Sequence, residues 1–196
     1  MVRTHALTSF AAALVTTVLA ASGCSDPEPA TSRVTLETEL RVGGNGTTAC
    51  PMTGPLFTIG EFGNPGLTPP EPVKPVENGG ADQQGTATVV CSVVANGAGG
   101  FDVRASAQLS GATGGLFRIE GNFKAEGAQS GIRVTISKQP FGVFEASDCT
   151  VTYATEFQGV AAGRVWGQLD CPSANRQDTG ASCQALAQFR FENCSQ

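Results

Sequence analysis

The sequence predicts an all-β fold, an antiparallel β-sandwich of about nine strands stapled by disulfides, on three observations. Downstream of residue 32, apolar and polar residues alternate with a period of two, the signature of strands with one buried face. Each alternating run is bounded by Gly, Ser, Asn or Pro, and the 25 glycines supply many tight turns. Cysteines continue to the end of the chain: Cys50, Cys91, Cys149, Cys171, Cys183 and Cys194 follow Cys24. Helical periodicity is absent after the leader.

The first strand carries Val34, Leu36, Leu40 and Val42 on one face, with Arg33, Glu37, Glu39 and Arg41 on the other. Leu56 to Glu61 reads as a second strand. From 62 to 85 the alternation stops, and Pro65, Pro69, Pro70, Pro72 and Pro75 lie among Gly, Asn and Gln. Proline cannot donate to a ladder, so this is a long loop, functional or disordered, with disorder the stronger reading. Alternation resumes through Ala87, Val89, Cys91, Val93 and Ala95. Asn96–Gly100 then turns the chain into Phe101, Val103, Ala105, Ala107 and Leu109, the clearest hairpin in the sequence. Strands follow at Phe117–Phe123, Ile132–Ile136, Cys149–Phe157, Val165–Cys171 and Ala185–Phe191.

Residues 1–23 have the layout of a cleaved leader. Arg3 gives the positive start, Ala6 to Ala21 an apolar run too short for a comfortable membrane span, and Ala20-Ala21-Ser22-Gly23 a small-residue end. Ala21-Ser22-Gly23-Cys24 resembles the lipobox of bacterial lipoproteins, although Ala21 stands where that motif prefers Leu. The resemblance implies cleavage before Cys24 and acylation of that cysteine, with two or three acyl chains as a stable membrane anchor. It also implies, from Ser25 after the cysteine, the outer rather than the inner membrane, although Asp26 stands one position later. Residues 24–32 would be a lipidated tether reaching about 25 Å, and 33–196 the β-sandwich domain.

Spending Cys24 on lipid leaves six cysteines, an even remainder that reads as three disulfides formed in an oxidising compartment. The sequence leaves the connectivity open. The expected pairs are Cys171–Cys183 across a polar loop, Cys149–Cys194 between neighbouring strands, and Cys50–Cys91 holding the N-terminal strands to the rest.

Residue inventory argues against an enzyme. The only histidine, His5, departs with the leader, which removes Ser-His-Asp and Cys-His chemistry. No C-x-x-C pair, EF-hand run or phosphate-cradling Gly loop is present, so neither metal nor cofactor is expected. The net charge of -5 lacks a basic stripe and argues against nucleic acid as a partner. Ser-Lys catalysis would need Lys74, Lys124 or Lys138 buried beside a serine, and no motif marks such a pair. Glu120, Glu126, Glu145 and Glu156 could in principle supply a glycosidase pair, but they fall at outward parity or in loops, where solvated surface acids are the ordinary reading.

One outward position stands apart. With Val165, Gly167 and Leu169 facing inward, Trp166, the only tryptophan, points outward between Arg164 and Gln168. That composition suits a recognition patch for a protein or glycan. The competing reading is a Trp166 lying beneath the long proline loop or a neighbouring side chain.

The cysteine placement and the closing Phe189-Arg190-Phe191-Glu192-Asn193-Cys194 are similar to small cysteine-containing lipoproteins of myxobacteria-like bacteria, a resemblance that implies no activity. Two functions follow as expectations: a non-enzymatic structural or binding module of the envelope, or, as the alternative, a carboxylate-dependent hydrolase of cell-wall or extracellular polysaccharide.

Overall fold

The computed structural model describes residues 29–43, 49–64, 66–82, 85–112 and 114–196. The residues read as the leader, Cys24 and most of those read as the tether lie outside the described residues. Twelve strands follow in chain order: β1 (Arg33–Val42), β2 (Gly54–Ile59), β3 (Val76–Glu77), β4 (Ala81–Asp82), β5 (Gly85–Ala95) and β6 (Gly100–Leu109). They continue as β7 (Gly115–Lys124), β8 (Gln129–Lys138), β9 (Gly142–Thr152), β10 (Gly159–Ala161), β11 (Arg164–Arg176) and β12 (Ser182–Glu192). Every expected strand has its counterpart; the three extra strands, β3, β4 and β10, are two or three residues long.

The strands pair antiparallel in the order β2-β1-β12-β11-β9-β8-β7-β6-β5-β4. Beside this path, β3 takes the edge of β1 next to β2, and β10 the edge of β11 next to β9. The expected separate pair of sheets is therefore replaced by one sheet that curls into a nearly closed barrel. Its closing seam runs along the free edge of β5. There Gly79 N–H donates to Ala87 O (2.8 Å), Ala87 N–H to Gly80 O (2.9 Å), Val93 N–H to Ser195 O (2.9 Å) and Ser195 N–H to Cys91 O (3.0 Å). Closure satisfies the backbone groups that an open edge would leave bare.

Inward residues from opposite walls fill the interior. Phe117 of β7 meets Phe189 and Phe191 of β12 at ring-centre distances of 5.9 and 6.4 Å, in the range of favourable aromatic pairs. Gly167 faces this core, where a Cβ would lie 2.7 Å from Val151 Cγ1, so the position has room only for glycine. Three apolar residues expected inside are exposed, among them Ala95 at the end of β5. Val42 ends β1 beyond the core, and Phe157 lies in the turn between β9 and β10 (each 67% exposed).

All six cysteines are paired, but as Cys50–Cys183, Cys91–Cys194 and Cys149–Cys171, which corrects each expected pair. Register explains the differences. Leu169 lies opposite Val151, which brings Cys171 opposite Cys149 on the inner face, whereas β11 separates β9 from β12 and keeps Cys149 from Cys194. A bulge between Cys171 and Ala174 sets Cys183 against Ala174, out of reach of Cys171. Cys50 precedes β2 and reaches Cys183, which faces the end of β1 at Val42. Cys91 instead stitches β5 to the C-terminal segment across the seam. Three such bonds belong to an oxidising compartment, extracellular or periplasmic.

The stretch 62–85, expected to be disordered, contains ordered hairpin structure among its described residues. Glu61 and Lys74 exchange backbone hydrogen bonds (3.0 and 2.8 Å), as do Asn64 and Glu71 (3.1 and 3.0 Å). β3 and β4 follow, joined to the sheet through β1 and β5.

Candidate functional site

The outward faces of β9, β11, β12, β1 and β2 form one continuous surface. Register aligns Thr152, Gln168, Gln188, Glu37 and Thr58 in a single row across these five strands. Amides and hydroxyls standing side by side on a pleated face can both donate and accept. Beside it, Asp170 Oδ1 accepts from Gln184 Nε2 diagonally across the β11–β12 pair at 2.9 Å. On β1, Glu39 is ion-paired with Arg41 at 2.7 Å, and this hydrogen bond holds its carboxyl below the usual range.

On the opposite flank of the polar row, Trp166 lies across from Arg190, which lies across from Thr35. The sequence places Arg164, Trp166 and Gln168 on one outward face, and the structure does the same. Arg164 and Gln168 are exposed, but Trp166 is partly buried. Phe62, from the hairpin, stacks on the indole at 6.4 Å with 21° between the planes, and the Arg190 guanidinium carbon sits 4.8 Å from the ring centre. Trp166 therefore lies beneath the proline-rich stretch and is not a bare anchor. Thr152 pairs with Gln168, and the chain leaves β9 there and returns as β10, setting Gly159 opposite Trp166.

Charges gather at this end. Glu192 accepts from Arg33 Nε (2.9 Å) and from Arg190 (2.7 Å). Three buried side-chain atoms have no hydrogen-bond partner among the described residues: Trp166 Nε1, Arg190 Nε and Thr35 Oγ1. Thr35 is completely buried although it points outward between Val34 and Leu36. Its strand neighbours meet Val76 and Ile59, the points where the hairpin re-enters and leaves the sheet edge.

The acids considered for hydrolysis are dispersed. Glu120 accepts from Arg118 Nε (2.7 Å) and Arg133 (3.3 Å), and shares with Glu145 the border of an open polar depression on the outward faces of β7 to β9 and β11. Register sets Glu145 opposite Thr135 and Asn175 rather than another acid. Glu126 and Glu156 are exposed in turns. Of the lysines, Lys74 pairs with Glu61, Lys138 donates to the Leu56 carbonyl, and Lys124 is exposed. Among the described residues, no group of three or more His, Cys, Asp or Glu side chains is placed to hold a metal ion.

Fold and site together define an exported, disulfide-stapled all-β domain that carries a polar sheet face beside a roofed aromatic row. Comparison with family models, curated protein sequences and solved structures finds no match for this chain.

Proposed function

We propose that this chain is the precursor of a membrane-anchored envelope lipoprotein whose β domain is a non-enzymatic binding module. Support for the anchor comes from Ala21-Ser22-Gly23-Cys24 at the end of the apolar leader, and the outer membrane is its favoured address. Support for binding comes from the row Thr152–Gln168–Gln188–Glu37–Thr58. Its side chains offer hydrogen bonds on the outer face of the sheet, which positions them with little entropy left to lose on association.

Two measurements test this. The intact mass of protein extracted from membranes should show an N-terminus at Cys24 with added acyl mass, and Cys24→Ser should release the protein; a mature N-terminus without acyl mass defeats the anchor. Immobilised mature protein should retain material from envelope extract, and Gln168→Ala with Gln188→Ala should remove most of it. Equal retention by the double variant would move the binding surface elsewhere.

The alternative, polysaccharide hydrolysis, draws on the shared border of Glu120 and Glu145. Release of reducing ends from envelope polysaccharide, abolished by Glu145→Gln, would favour it.

A further inference from the structure

Trp166 Nε1, Arg190 Nε and Thr35 Oγ1 all fall in one cross-strand row, and all lie at the end of the sheet where the hairpin joins. Buried polar groups are nearly always bonded, so three orphans side by side call for an explanation. Two are N–H donors and the third is a hydroxyl, so the row lacks acceptor oxygens above all. Phe62 covers the indole but has no atom that can accept these bonds. It fills the place of a ring while leaving the polar groups around that ring unanswered.

We infer that the row Trp166–Arg190–Thr35 is a saccharide site held shut by the hairpin Glu61–Lys74, with Phe62 seated where a sugar ring would stack. This rests on the reading of the outward face as a binding surface and names its ligand class. A pyranose presents a C–H face to an indole and oxygens at its rim, so it satisfies the stacking and the orphan donors together. Further sugar units would run onto Gln168, Gln188 and Glu37, the neighbouring row. Arg33, Arg164 and Arg190 stand near this end against Glu192 and Glu77, a balance that favours a neutral or acidic saccharide over a cationic one.

The hairpin is built to move as a unit. Its ladder bonds, Glu61 with Lys74 and Asn64 with Glu71, are internal, so lifting it leaves the sheet ladders intact and works against the bond that Gly60 N–H donates to Asp82 Oδ2 at its base (2.7 Å). Gly60 stands at its base and Gly63 within it, with φ of 67° and 70°. A Cβ would meet the Lys74 carbonyl oxygen at 2.5 Å in the first case and the Glu71 carbonyl oxygen at 2.4 Å in the second. Glycine is the residue that tolerates both the angle and the approach.

Trp166 is the only tryptophan, so its emission reports this site directly. The test titrates mature protein in detergent with neutral and uronic-acid oligosaccharides cleaved from bacterial envelope polysaccharide. A saturable change in emission is expected. Phe62→Ala removes the intramolecular occupant and should tighten binding by up to about tenfold if the open form is a minor one. Lys74→Glu sets a second carboxylate against Glu61, loosens the hairpin without touching Phe62, and should shift affinity in the same direction, so the test survives a poorly folding Phe62 variant. Absence of a saturable change in all three proteins overturns the saccharide site. Equal affinity in all three overturns the lid. Retention of envelope material that the Gln168/Gln188 variant loses, with no saturable change in Trp166 emission, would overturn this site while leaving the broader binding reading intact.

Discussion

Tyr153 shows how one side chain couples burial to pH. It follows β9, and its hydroxyl donates to the Lys124 carbonyl at 3.0 Å, tying that segment to the end of β7. Burial disfavours the phenolate and pushes the group up to about 12 from its ordinary value near 10. The folded state therefore holds this proton more tightly than the unfolded chain does. Its contribution is fully present below pH 10 and is lost as the pH rises from about 10 to about 12. Because the ring is only half-buried, solvent screening leaves the effect on the order of 1 kcal/mol. Urea denaturation at pH 9 and pH 11.5 should show a drop in wild type that is smaller in Tyr153→Phe. An identical drop in both would assign the alkaline loss to other groups. Gln129 works on the same corner: its buried amide accepts from Lys124 N–H (2.8 Å) and donates to the Gly127 carbonyl (2.7 Å), which fixes the turn between β7 and β8.

At the scale of elements, the seam beside β5 is where the barrel is closed by something other than a full strand pair. Ser195 forms a single parallel bridge with Ser92, and Gly163 N–H donates to Val93 O at 3.1 Å. Cys91–Cys194 locks this junction across a sequence separation of 103, whereas Cys149–Cys171 joins adjacent strands across 22. A crosslink stabilises partly by shortening the unfolded chain's freedom, and the longer loop gains more, by about 1 kcal/mol here. Replacing Cys91 and Cys194 together by Ser should therefore cost more stability than replacing Cys149 and Cys171. The difference should show as a lower urea midpoint, and the reverse order would mean that the seam holds without its staple.

Across the whole molecule, the first and last long strands, β1 and β12, are neighbours and pair over ten residues. The barrel thus cannot be assembled until the C-terminal strand is in place, and no part of the sheet has a core of its own. Unfolding should be a single transition in which Trp166 emission and far-UV circular dichroism coincide. Two separated transitions would show that the Phe62 roof over Trp166 melts apart from the sheet. The same topology gathers the functional surface, since β9, β11, β12, β1 and β2 span the chain from Gly54 and Arg33 to Glu192.

The strands themselves were legible in the sequence, because alternation along a strand is a local property and side-chain burial enforces it residue by residue. Val34, Leu36 and Leu40 are inside, and the outward row Arg164, Trp166, Gln168 stands where parity puts it. That all six cysteines pair is equally local, a matter of number and compartment. Their connectivity was not, although one signal was present: Cys149 and Cys171 share inward parity on strands that pair directly. The other two bonds depend on which strands are neighbours and on the bulge after Cys171, both decided only when the sheet closes. Trp166 makes the same point for the site. Parity points it outward, but only the tertiary structure brings Phe62, a hundred residues earlier in the chain, down upon it and aligns it with Arg190 and Thr35. Periodicity determines which face a side chain takes, and register between distant strands determines what it meets there.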